Sequence, residues 1–87
     1  MIISGYNFTG SYDPKVGFTK TNAAVYVIID VQLKVVDVGE TEDLNNRFPN
    51  HPRQSCWERY SNGFFQLYIW QESSEHNRLL LENTIRS

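Results

Sequence analysis

Five side chains along this chain have the chemistry that hydrolysis of a phosphodiester requires. They are a phenol, an imidazole, a guanidinium and two carboxylates, at Tyr26, His51, Arg47, Asp37 and Glu82. Attack of water on a phosphodiester needs a base, a cation near the phosphate and a metal ion. Imidazole titrates near neutral pH, and Mg²⁺ often takes one or two carboxylates, with water and phosphate completing its shell. The set therefore suits this reaction if the fold brings its members together.

Three apolar segments predict the strands that would position these residues. Residues 23–30 are β-branched and aromatic and are apolar on both faces, which is typical of a strand covered on both sides. Residues 34–38 predict a second strand that ends at Gly39, after a link short enough for a hairpin. Residues 64–71 alternate between two faces and predict the third strand.

Capping residues and a proline predict three helices around this sheet. Thr41 is a good N-cap, and the acidic residues that follow it suit the first turn of a helix. Pro52 predicts the start of a second short helix. Ser73 or Ser74 predicts the cap of a last helix that reaches Ile85. The order is β-β-α-α-β-α, so we expect an α+β fold with a small three-stranded antiparallel sheet flanked by helices.

Length and composition predict one small domain. The chain has 87 residues, of which 40 % are hydrophobic, and this is ordinary globular composition. Residues 1–22 are rich in Gly, Ser, Thr, Asn and aromatic residues, and predict an irregular N-terminal arm that packs on the core. Residues 23–87 form the predicted domain.

Cysteine usage and hydropathy indicate in which cellular compartment the protein is found. Cys56 is the only cysteine, which excludes an intrachain disulfide and a cysteine zinc cluster. The longest apolar run, residues 23–29, is far shorter than the ~20 residues that span a bilayer. The first residues lack the pattern of a signal peptide. We therefore expect a cytoplasmic protein with no membrane partner.

The net charge argues against a strongly basic nucleic-acid binder. It is −2 at neutral pH, whereas nucleic-acid binders often present a basic surface. After an acidic cluster at residues 40–43, four basic or titratable residues fall within thirteen positions: Arg47, His51, Arg53 and Arg59. This distribution leaves room for a local basic patch on an acidic domain.

Four short motifs resemble, in their order and spacing, the GIY-YIG nuclease family. They are Val25-Tyr26-Val27 in the first strand, Asp37-Val38-Gly39 closing the second, Arg47 in the next helix and Glu82 in the last. Residues 37–47 are similar to the family segment Y-I/V-G-x-(S/T)-x-(D/N)-L-x-x-R, and His51 is similar to a histidine that many members carry. The resemblance covers about residues 23–86.

This resemblance implies a divalent-metal-dependent DNA endonuclease. By resemblance, Tyr26 relays a proton, His51 shares the proton transfer and Arg47 holds the phosphate. Glu82 binds the metal ion, which would be Mg²⁺ or Mn²⁺. Arg53 adds positive charge for nucleic acid beside Arg47.

Departures from the family pattern leave the activity open. The first motif lacks its glycine, and Asp37 replaces the second tyrosine. Asp37 has three interpretations: an acceptor of backbone hydrogen bonds at a strand end, a second metal ligand or base, or a mark of lost catalysis. Alternatives also exist for Tyr26, as a core aromatic residue, and for Glu82, in an i,i+4 charge ladder with Arg78 and Arg86. We expect either an endonuclease with weak or lost activity, or a non-catalytic module that binds nucleic acid or protein.

Overall fold

The computed structural model of the chain describes residues 1–13, 22–48, 51–61 and 65–86. These residues form six strands and three helices, in the order β1 (Ile2–Ile3), β2 (Tyr6–Asn7), β3 (Thr9–Tyr12), β4 (Ala24–Asp30), β5 (Val35–Thr41), α1 (Leu44–Arg47), α2 (Gln54–Ser61), β6 (Phe65–Gln71) and α3 (Glu75–Arg86). The predicted order β-β-α-α-β-α is present from β4 onward. The α+β class is therefore confirmed.

The main sheet has four antiparallel strands in the order β3-β6-β4-β5. The predicted three-stranded sheet is wrong by one strand, because β3 adds to the edge of β6 through pairs such as Thr9 with Ile69. The short strands β1 and β2 form a separate hairpin before it. The described part of the predicted arm thus carries strands, and its residues 14–21 lie outside the described residues.

The β4–β5 hairpin turns without the glycine or asparagine that such turns favour. One carboxylate oxygen of Asp30 accepts the backbone N–H groups of Gln32 and Lys34, at 2.9 Å each. Leu33 adopts a positive φ of 63° in this turn. The Asp30 side chain thus supplies the local hydrogen bonds that stabilise the turn.

Strand β5 continues to Thr41, beyond the predicted end at Val38. Its pairing with β4 runs through Tyr26 opposite Gly39 as far as Ala24 opposite Thr41. The Asp37-Val38-Gly39 motif therefore lies inside an edge strand and not at its end. Backbone pairing with the buried central strand β4 outweighs the weak strand preference of glycine.

Alternate residues of β4 enter two separate core clusters, one on each face of the sheet. On the Tyr26 face, the cluster contains residues of β4, β6, α1 and α2, with Phe48 after α1: Ala24, Tyr26, Ile28, Leu44, Phe48, Trp57, Leu67 and Ile69. On the Val27 face, it contains Phe8, Val25, Val27, Ile29, Val38 and Leu81. Helices α1 and α2 therefore cover the Tyr26 face, and α3 covers the Val27 face.

Two capping contacts define where the helices begin. The Thr41 hydroxyl accepts the N–H of Asp43 and donates to its carbonyl, so α1 begins at Leu44, later than the predicted N-cap at Thr41 implied. The Ser74 hydroxyl accepts the N–H of Asn77 at 3.3 Å, which makes Ser74 the cap of α3. Within the described residues, no helix has the length and apolarity needed to cross a membrane.

Candidate functional site

A short hydrogen bond joins two buried side chains on the Tyr26 face of the sheet. The hydroxyl oxygen of Tyr26 lies 2.6 Å from Nε2 of His51, and both residues are buried. The other ring nitrogen of His51, Nδ1, accepts the backbone N–H of Arg53 at 3.0 Å. A nitrogen that accepts carries no proton, so neutral His51 bears its proton on Nε2. This tautomer makes Nε2–H the donor and the Tyr26 oxygen the acceptor.

Gly39 provides the space into which the Tyr26 ring projects. The two residues are cross-strand partners. A Cβ atom on Gly39 would overlap the Tyr26 hydroxyl oxygen and Cζ, and would lie 3.0 Å from Cε1. The tyrosine of the first motif and the glycine of the second are therefore linked by packing: the ring occupies its position because its partner has no side chain.

Arg53 is the cation that contacts this pair. Its Nη2 donates to the Tyr26 oxygen at 3.2 Å, and its Nε lies 3.2 Å from Oδ2 of Asp37. Burial lowers the pKa of Arg53, but the hydrogen bond to Tyr26 and the charges of Asp37 and Glu82 raise it, and the net shift is upward. Arg53 therefore stays protonated at any pH that the fold would meet. Arg47 is the other predicted phosphate ligand. Its backbone ends α1, and its side chain lies outside the described residues.

Asp37 accepts two hydrogen bonds and forms one ion pair. Oδ1 accepts the N–H of Val38 at 2.9 Å, and Oδ2 accepts the indole N–H of Trp57 at 2.8 Å as well as the Arg53 contact. The Trp57 ring also lies 4.5 Å, between centroids, from the ring of His51. Sequence reasoning gave Trp57 no role in the site, because a tryptophan on a short helix has the pattern of a core residue.

Glu82 lies in the other layer of the fold, on the face of the sheet opposite Tyr26. Its helix, α3, packs on the Val27 face, and its carboxylate lies 3.3 Å from Nε of Arg86. Nη2 of Arg86 donates to the Val38 carbonyl at 2.7 Å, so this pair lies along the free edge of β5. The charge of Glu82 also contributes to the raised pKa of Arg53. Arg78, the other predicted ladder partner, instead forms an ion pair with Glu40 at 2.8 Å.

The donor set near this edge suits only a weakly held metal ion. Within the described residues, no three His, Cys, Asp or Glu side chains are grouped so that they could hold a metal ion. The oxygens of Asp37 are used by Arg53 and Trp57, which leaves Glu82 as the carboxylate of the predicted set. One carboxylate fits Mg²⁺ when water and phosphate oxygens supply the other ligands, but it does not fit an all-protein site.

A groove in the described part of the chain lies apart from the Tyr26–His51 pair. A groove of about 300 Å³ lies on the Val27 face, between β6 and α3, with Tyr6, Trp70 and Leu80 among its lining residues. This groove does not include Tyr26, His51 or their partners. The structure therefore brings Tyr26, Asp37 and His51 together with Arg53 and Trp57 on the Tyr26 face of the sheet. It does not place Glu82 on that face, because α3 packs on the opposite one.

Comparison of the chain with protein-family models, with curated proteins and with solved structures gave no match. The resemblance of the motifs thus stays a prediction. Since one fold can carry many functions, the function has to be argued from the contacts of the site.

Proposed function

We propose that this domain hydrolyses phosphodiester bonds of nucleic acid with the help of a divalent metal ion. The observation that carries the proposal is the environment of the Tyr26 oxygen, which receives N–H groups from both His51 and Arg53. Donors to an ionisable oxygen favour its charged form. A phenolate is a base, so this arrangement prepares Tyr26 to accept the proton of an attacking water.

In this proposal Arg53 contacts the base, Tyr26, and also binds the phosphate of the substrate. The structure gives partners to its Nε and Nη2 atoms, whereas a guanidinium has five N–H donors. Its side chain is 42 % exposed, so N–H groups remain for a phosphate that approaches the β5 edge. Arginine suits this role because its planar donors match phosphate oxygens.

Glu82 would hold the metal ion, Mg²⁺ or Mn²⁺. When bound, such an ion polarises the phosphoryl oxygen and stabilises charge in the transition state. The carboxylate must leave its ion pair with Arg86 to do this, and that pair is partly exposed and therefore weak. With one carboxylate, we expect low metal affinity in the absence of nucleic acid and a slow reaction.

A second candidate is a domain that binds nucleic acid or protein without cutting. The arrangement of ion pairs favours it: both partly exposed arginines of the edge, Arg53 and Arg86, already face carboxylates of the same chain. Together with the net charge of −2, this limits attraction for a phosphate backbone.

Cleavage of plasmid and of labelled single- and double-stranded DNA with Mg²⁺ or Mn²⁺ separates the two candidates. Tyr26→Phe keeps the ring and removes the oxygen, and we expect a loss of roughly 10²- to 10⁴-fold, which is typical of a lost general base. Glu82→Gln should abolish metal-dependent cleavage, because it removes the carboxylate that would hold the ion. Glu75→Gln, on the same helix, is the matched control and should cleave like the natural chain.

The outcomes are distinct. Cleavage that survives both Tyr26→Phe and Glu82→Gln would contradict the proposed site. Salt-sensitive binding of nucleic acid with no cleavage at any metal concentration would instead favour the binding module.

A further inference from the structure

The carboxylate of Asp37 contacts both residues that flank the Tyr26–His51 pair. Its Oδ2 receives the indole N–H of Trp57 at 2.8 Å and faces Nε of Arg53 at 3.2 Å. Asp37 belongs to the edge strand β5, whereas Trp57 lies on α2 and Arg53 just before it. A single side chain therefore ties this edge strand to the segment that carries His51.

Through Arg53, Asp37 acts on the Tyr26 oxygen. The guanidinium lies between the Asp37 carboxylate and that oxygen, with one nitrogen directed at each. Arg53 is 42 % exposed on its side chain, while Asp37 is 17 % exposed. A long side chain that is nearly half exposed has many accessible rotamers. The less exposed carboxylate restricts Arg53 to the rotamer that contacts Tyr26.

Through Trp57, Asp37 acts on the imidazole of His51. The Trp57 side chain is buried, and a buried indole N–H requires an acceptor. That acceptor is Asp37, so the carboxylate fixes the rotation of the indole ring. The ring in turn lies 4.5 Å from the His51 ring, tilted by 36°, and limits the orientations from which Nε2 can reach Tyr26.

We propose that Asp37 is a positioning residue, which holds Arg53 against the Tyr26 oxygen and Trp57 against His51. It is neither the base nor a metal ligand, because its two oxygens already accept hydrogen bonds from Val38 and Trp57 and one of them is paired with Arg53. Its effect on a reaction rate rests on the proposed function, but its effect on the two contacts does not. The carboxylate that replaces the expected tyrosine thus organises the site without reacting.

The test compares Asp37→Asn with Asp37→Ala, alone and combined with Arg53→Ala. Asparagine keeps an oxygen acceptor for both N–H groups, whereas alanine removes it. We expect Asp37→Ala to lower cleavage, and the double variant to lose less than the product of the two single losses, since residues that share a contact are not additive. Asp37→Asn should cleave within about threefold of the natural chain, because it retains the hydrogen-bonded geometry.

Side-chain ¹H–¹⁵N NMR measures the two contacts directly and does not require the protein to be active. The Trp57 indole and Arg53 Nε–H resonances should keep their positions in Asp37→Asn, and should shift and exchange faster with water in Asp37→Ala. Asp30→Ala is the control, because it removes a carboxylate that stabilises the hairpin turn and should leave both resonances unchanged.

Two results would overturn the assignment. One is an unchanged pair of resonances in Asp37→Ala. The other is an Asp37→Asn variant as inactive as Asp37→Ala, which would make the carboxylate itself the base or a metal ligand. If the resonances respond as expected and the natural chain cleaves nothing, the positioning contacts stand and the proposed nuclease function fails.

Discussion

Replacing Gly39 by alanine tests whether the Tyr26 ring depends on the missing side chain. The new methyl group would overlap the hydroxyl end of that ring. The ring cannot move freely, because it lies in the core. Its centroid is 5.3 Å from that of the Phe48 ring, and its hydroxyl is hydrogen-bonded to His51. Either the ring or the β5 backbone must move, and both movements break the contacts of the Tyr26 oxygen.

The cost can be built from three contributions. Overpacking a well-filled core costs about 1–3 kcal/mol, and a lost hydrogen bond costs about 1 kcal/mol. Alanine in place of glycine within a strand stabilises the folded state by about 0.5–1 kcal/mol, which offsets part of this cost. We expect a net destabilisation of about 2 kcal/mol, which corresponds to a melting temperature lower by about 8–16 °C in a domain of this size. Urea denaturation followed by circular dichroism measures it.

A second-site variant gives this prediction its control. In a Tyr26→Val background the ring is gone, so Gly39→Ala should become neutral or slightly stabilising, and the sign of its effect should reverse. A Gly39→Ala variant that is as stable as the natural chain, or more stable, would refute the packing argument. An equal loss of stability in both backgrounds would show that alanine disturbs β5 by another route.

Two further predictions concern stability away from the Tyr26 oxygen. Glu40→Leu leaves the buried guanidinium of Arg78 without its carboxylate and should cost about 3–5 kcal/mol. Glu82→Leu breaks the more exposed pair with Arg86 and should cost about 1 kcal/mol or less. Urea denaturation distinguishes them, and equal costs would contradict the burial argument. Ser74→Ala removes the cap of α3 and should cost about 1 kcal/mol, with Ser74→Asn close to the natural chain; a loss in Ser74→Asn equal to that in Ser74→Ala would show that the side-chain oxygen is not the cause.

Periodicity predicts the strands whose burial is regular and misses the N-terminal strands, among them β3, which is held by its pairing with β6. Residues of β4 are buried on both faces, and a run of Val and Ile shows this directly. All four residues of β3 are exposed and carry no alternation, so no pattern marks them. The pairing with β6 makes β3 a strand, and such tertiary effects routinely override local preference.

The candidate site was predictable in its residue types and not in its contacts. The resemblance implied one site formed by Tyr26, Asp37, Arg47, His51 and Glu82. The structure brings Tyr26, Asp37 and His51 into one cluster, whereas Glu82 lies in the layer on the opposite face of the sheet and the Arg47 side chain lies outside the described residues. The partners of Asp37 could not be read from the chain, because Trp57 is twenty positions away and its pattern is that of a core residue. The extension of β5 was missed for a related reason. A glycine after an apolar run predicts the end of a strand, whereas Gly39 lies within β5 and accommodates the Tyr26 ring.

Strand β5 joins the two layers of the fold at four consecutive residues, 37–40. Its alternation directs Asp37 toward Arg53 on the Tyr26 face and Glu40 toward Arg78 on the Val27 face. Between them, the outward carbonyl of Val38 accepts a hydrogen bond from Arg86. A free edge strand is prone to pair with another chain unless charged side chains cover it. Three arginines from both sides thus protect this edge and hold the helices on it, and their carboxylate partners limit the positive charge that remains for a phosphate. The same contacts that stabilise the edge therefore restrict any nucleic acid that binds here to one whose phosphate can compete with Asp37 for Arg53 or with Glu82 for Arg86.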